Sequence, residues 1–143
     1  MAAETFPRRD AEGRVRNLAE LLVAAVGGTV VGLAVLAAID AILALIRLSH
    51  FGDASGWLAA ILPGLLFFDD LRAWRGYGVR FLVAVVGAAV AIGLGLIAAA
   101  LAGGLRPMFS GGLGALVAAA VYAPVWFVGI RWLTGHETER QSR

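Results

Sequence analysis

Three long blocks of this chain carry almost no charge: Leu21–Ile46 contains only Asp40, while Phe81–Leu105 and Met108–Ile130 contain none. A helix needs roughly 20 such residues to cross a hydrocarbon core of about 30 Å, and inside that core its backbone polar groups must be satisfied internally. The blocks therefore predict three membrane-spanning helices. Composition agrees, since 60% of the 143 residues are apolar, against about 45–50% in soluble domains.

A fourth apolar segment is shorter and ends in charge. It reads AAILPGLLFFDDLRAWRG from Ala59 to Gly76, and its uncharged core, Trp57–Phe68, has too few residues to span unaided. Arginine placement argues that it spans nonetheless. With four crossings, Arg8, Arg9, Arg14, Arg16, Arg72, Arg75, Arg80, Arg131, Arg140 and Arg143 share one side, leaving Arg47 and Arg106 on the other. A re-entrant segment would erase that asymmetry, and cytoplasmic loops carry the excess of Lys and Arg. The expected architecture is an all-α membrane protein with four transmembrane helices, about 18–47, 54–74, 79–104 and 108–133, and both termini cytoplasmic. Trp57 and Trp74 would then lie about 25 Å apart, near the two interfaces. A bend is expected at Pro63.

Residues 1–17 read as a retained, mostly disordered polar tail, and 135–143 as a second cytoplasmic tail. Arg8-Arg9 resembles a twin-arginine export signal only loosely, because the apolar run that follows is too long for a signal segment. All twelve basic residues are arginine, the mark of a GC-rich prokaryotic genome, so a prokaryotic inner membrane is the expected location. A net charge of +2 suits either nucleic acid or anionic lipid. The gathering of arginines at helix ends favours headgroups at the cytoplasmic face, with no nucleic acid.

A shift of about sixty residues lays Leu21–Val30 over Phe81–Val90, and one residue more brings Ala59–Phe68 near Ala119–Gly129, with Pro63 over Pro124. The helices then form two tandem hairpins related by an axis along the membrane normal. The same register sets Asp70 opposite Arg131. Between apolar helices in lipid, close packing through small residues replaces the hydrophobic force. Gly28 and Gly32 on the first helix, and Gly87, Ala91, Gly95, Ala99 and Gly103 on the third, are the expected packing faces. They serve the chain's own bundle or an oligomer seam.

Asp40 is the one charge embedded in the first helix, and burying it is costly. It and Arg47, two turns on, are a candidate ion or proton site, or else a carboxylate that meets interfacial water. Asp69-Asp70 invites comparison with aspartate-rich Mg²⁺-diphosphate sites, but the pattern needs an acid where the chain has Ala73. Asp69, Asp70, Arg72 and Arg131 are instead expected to form an ion-pair network at the inner boundary.

Other chemistry is thin. There is no cysteine and no lysine, and His50 and His136 are the sole histidines, so thiolate chemistry and histidine-rich metal or haem sites are excluded within one chain. Gly-x-Ser-x-Gly, His-Glu-x-x-His and the Gly-x-x-x-x-Gly-Lys phosphate loop are missing. No cofactor, metal or catalytic residue is expected. The sequence predicts a small non-catalytic subunit of a larger membrane complex or transporter, or a homo-oligomer. The competing expectation is an autonomous channel or transporter that uses Asp40 and the proline-interrupted helices.

Overall fold

The computed structural model describes residues 6–74 and 77–141, with the backbone alone at 77, 79 and 134–141. Arg75 and Arg143 of the predicted basic face lie outside the described residues, as do the side chains of His136 and Arg140. The regular elements of the described chain are all helices: α1 (Leu18–Leu45), a 3-10 helix (Gly56–Ala60) running into α2 (Ile61–Ala73), α3 (Tyr77–Leu101) and α4 (Pro107–Gln141). Leu18–Leu45, Arg80–Leu101 and Pro107–Leu133 are long and apolar enough to cross a membrane.

Local chemistry sets the ends. Asn17 takes extended backbone angles and its side chain accepts the Ala19 amide, capping α1. At the far end Arg47 adopts a left-handed conformation, φ 60°, while the Leu48 amide donates to Leu43 and the Arg47 amide to Ala44. These two bonds close a Schellman motif, whose turning position is usually glycine. Pro107 opens α4, where a missing N–H costs nothing. The helix then continues through 134–141, which the sequence reading assigned largely to a tail.

The segment around Pro63 departs from expectation. Pro63 sits in the first turn of α2, where amides lack an intrahelical partner in any case. The winding changes from 3-10 to α at Ile61, two residues before Pro63. Pro124, by contrast, lies inside α4 and withholds the amide that would bond the Ala120 carbonyl.

Neighbouring helices run antiparallel, and glycines mark where their backbones meet. Gly32 faces Ala59, and Gly28 faces Pro63. On the other side Gly87 meets Tyr122 and Val125, Gly95 meets Gly114, and Val83 meets Gly129. A Cβ on Gly95 would come within 2.5 Å of the Gly114 carbonyl oxygen, and one on Gly56 would overlap the Met108 carbonyl and the Gly112 amide. The Trp57 indole fills the notch left by Gly95, Gly111 and Gly114, so this tryptophan packs inside the bundle rather than only marking an interface.

Two ends result. At the loop end, the Met108 amide donates to Gly52, Phe51 and Phe109 meet edge to face, and Arg106 donates to the Phe51 carbonyl. At the tail end, the predicted disorder of residues 1–17 gives way, from residue 6 onward, to a compact turn in which Arg9 bridges Val15. Val15 is only 3% exposed. The turn holds because Asp10 accepts the Arg14 amide at 2.8 Å and its guanidinium at 2.7 Å.

Candidate functional site

Two of the predicted inner-boundary residues, Asp70 and Arg131, reach the same tail segment, through bonds other than those expected. Asp70, on the last turns of α2, is 3% exposed. One carboxylate oxygen accepts the Val15 amide at 2.9 Å; the other accepts the Trp126 indole at 2.7 Å and the Trp74 indole at 3.3 Å. Three N–H donors on two oxygens suit an ionised carboxylate, which can only accept. Arg131 donates to the carbonyls of Arg16 at 2.9 Å and Val15 at 3.4 Å, and its guanidinium lies over Phe127. The acid and the base therefore grip one tail segment, Asp70 by an N–H and Arg131 by C=O groups.

Asp69 does not join them. It is exposed, and among the described residues it forms no ion pair with Arg72, whose guanidinium stacks 5.5 Å from the Phe68 ring centroid. The two side chains leave the short helix at its solvated end, where an exposed pair gains little. In the turn, burial raises the Asp10 carboxyl, but the Arg14 amide and guanidinium outweigh it and hold the group below its ordinary 3.8.

Asp40 stands at the loop end. It is 2% exposed and accepts the Gly52 amide, in a turn where Gly52 has φ 97°. Arg47 is exposed and closes the α1 terminus instead, so the Asp40–Arg47 pairing considered from sequence is not formed. The carboxylate anchors the loop that leads into the 3-10 helix.

Of the predicted packing face, Gly87, Ala91 and Gly95 are buried, with Gly87 and Gly95 facing α4, while Ala99 is half-buried and Gly103 exposed beyond the end of α3. The stripe works where α4 faces it and stops where the helices diverge. Gly32 touches Ala59 closely, and Gly28 only loosely touches Pro63.

Between these ends lies a crevice of about 320 Å³. Its close backbone neighbours leave α2 packed on α1, and α2 reaches α4 by side chains: Phe67 meets Tyr122 edge to face at 4.4 Å, and Tyr122 stacks on Trp126 at 6.1 Å. Pro63, Gly64, Phe67 and Leu71 of α2 form one wall and Ala88, Ala91 and Ile92 of α3 the other, with Ala115, Ala118 and Ala119 of α4 behind. Trp126, 1% exposed, forms part of the lining and turns its N–H to Asp70. The crevice is apolar along its length and carries a polar node at one end.

Sequence reasoning missed Val15 and Trp126. A buried indole needs an acceptor, which was the available signal for Trp126, but the acceptor lies 56 positions away. Among the described residues no group of three His, Asp or Glu side chains could hold a metal ion. Compared with known proteins, the chain matches no family model, no curated protein sequence and no solved structure. The three spanning helices make it a multi-pass membrane protein by length and composition.

Proposed function

We propose that the chain is a small, non-catalytic, four-crossing protein of a prokaryotic inner membrane, with both termini in the cytoplasm, that serves as a subunit of a larger membrane complex or transporter. The observation that carries this reading is the use made of the two buried carboxylates. Asp70 is engaged by three N–H donors and Asp40 by a loop amide, so both act as fasteners for chain segments. A group that shuttles protons or ions must exchange partners readily, and these are committed to the fold.

The winding of the second segment supports four crossings. Five residues of 3-10 helix and thirteen of α-helix, rising ~2.0 and ~1.5 Å each, together cover about 30 Å, the thickness of a bilayer core. The segment begins beside Met108 and Gly112 at the loop end and reaches Val15 at the tail end. Arg16 and Arg131 meet at that same end, consistent with a shared cytoplasmic side for the two tails.

The deciding experiment purifies tagged protein in mild detergent, measures particle mass, and reconstitutes the same sample for ion and proton flux. A stoichiometric complex with a larger membrane protein, and no flux from the chain alone, fits the proposal. Flux that disappears in Asp40→Asn would replace it with the channel reading, and cysteine labelling that places the two ends on opposite faces would overturn the topology.

A further inference from the structure

The crevice runs along one side of α2, and a separate cavity of different character lies past the end of that helix. Pro63, Phe67 and Leu71 follow at steps of four on α2, forming one stripe that Ala60 of the 3-10 helix extends. All four line the apolar crevice; Trp74, past the helix end in extended backbone, instead lines the separate cavity of about 230 Å³ with Glu12, Arg14, Ala73 and Arg80. The guanidinium groups of Arg14 and Arg80 lie 4.9 and 5.5 Å from the Trp74 ring centroid, and Arg72 covers Phe68 at the crevice rim. Asp10 and Glu12 engage Arg14, whereas Arg72 forms no ion pair among the described residues.

We propose that the crevice binds one anionic phospholipid, with an acyl chain in the crevice and the phosphate beside Arg72. The dimensions support that occupant. From Ala60 to Leu71 the stripe runs about 16 Å at ~1.5 Å per residue, which is half of a ~30 Å core and hence the depth of one leaflet. The apolar slot thus begins near mid-membrane and ends near the Arg72 guanidinium over Phe68, the order in which a lipid presents its tail and headgroup. The proposal goes beyond the subunit reading and stands without a protein partner.

Native mass spectrometry of the purified protein, titrated with phosphatidylglycerol or phosphatidylcholine, tests it. The wild type should retain one phosphatidylglycerol and prefer it by about fivefold, the gain of roughly one arginine–anion contact at a membrane surface. Gly64→Phe places a ring where a Cβ meets nothing within 4 Å, so it should fill the slot and abolish retention with helicity unchanged. Arg72→Gln should keep the lipid and lose the preference. Equal retention of both lipids by the wild type, undiminished retention by folded Gly64→Phe, or a change from dimer to monomer as that variant's only effect would overturn the proposal. Should Gly64→Phe fail to fold, the Arg72→Gln comparison decides: an unchanged preference refutes the headgroup site.

Discussion

Replacing Asp70 with asparagine changes almost no volume and isolates the hydrogen-bonding chemistry of the node. The aspartate accepts from Val15, Trp126 and Trp74, whereas an asparagine amide offers one acceptor oxygen and a donating NH₂. If the oxygen keeps the Val15 amide, the NH₂ faces the Trp126 indole, and two donors oppose each other in a site 1–3% exposed. Losing a hydrogen bond to a charged acceptor costs about 1.5–3 kcal/mol, and the stranded indole N–H adds a comparable desolvation penalty. The weak 3.3 Å bond from Trp74 adds little. The expected loss is about 3 kcal/mol, read by SDS titration or thermal unfolding in detergent, with trypsin cleaving the tail faster after Arg16. In a double-mutant cycle, Trp126→Phe should cost about 1–2 kcal/mol less on the Asp70→Asn background than on the wild type. An Asp70→Asn protein within about 0.5 kcal/mol of its parent, with the tail no more accessible, would refute the node as the fastener of the tail.

Asp40→Ala should strand the buried Gly52 amide, lowering stability by about 1–3 kcal/mol and speeding hydrogen exchange of that amide, while Asp40→Asn, which still accepts, should lose less than half as much. Arg47→Gly should raise the melting midpoint, gaining about 1 kcal/mol, because glycine occupies the left-handed turn at φ 60° without a Cβ penalty. Gly95→Ala should destabilise the α3–α4 contact by about 1–3 kcal/mol, while Gly93→Ala, whose Cβ meets nothing within 4 Å, should be neutral or stabilising by up to about 1 kcal/mol; chemical denaturation of the pair checks both. The Asp10 carboxyl is held below its ordinary 3.8, so its contribution to the tail turn is complete above that value and is lost as pH falls through the lowered one. The Arg14 amide resonance, bonded to that carboxylate, should titrate with a midpoint under 3.8.

Much of the fold was legible in the sequence because a bilayer imposes a length requirement on apolar runs, and the three long blocks meet it. The start of α1 at Leu18 after Asn17 and the start of α4 at Pro107 follow local rules for helix ends. The second segment was legible as a helix, but its division into 3-10 and α turns was not. That division depends on the Gly56 backbone lying against Met108 and Gly112 and on Ala59 abutting Gly32, contacts between residues far apart in the chain. The site shows the same limit. Asp70 and Asp40 stood out as charges in apolar surroundings, yet repeat register set Asp70 against Arg131 and spacing set Asp40 near Arg47, whereas Asp70 accepts from Val15, Trp126 and Trp74 and Asp40 from the Gly52 amide.

By itself, then, the sequence determined that this chain is a helical membrane protein, where its helices run and which side chains are too polar for their surroundings, since hydropathy and capping act over neighbouring residues. Tertiary structure alone decided what those polar groups hold. Asp70 reaches back 55 positions to the Val15 amide and forward 56 to Trp126, and hydrogen bonds of that range form only once packing has brought four helix ends together. The tail, whose composition reads as disordered, is ordered for the same reason: its Val15 N–H and C=O meet a carboxylate of α2 and a guanidinium of α4.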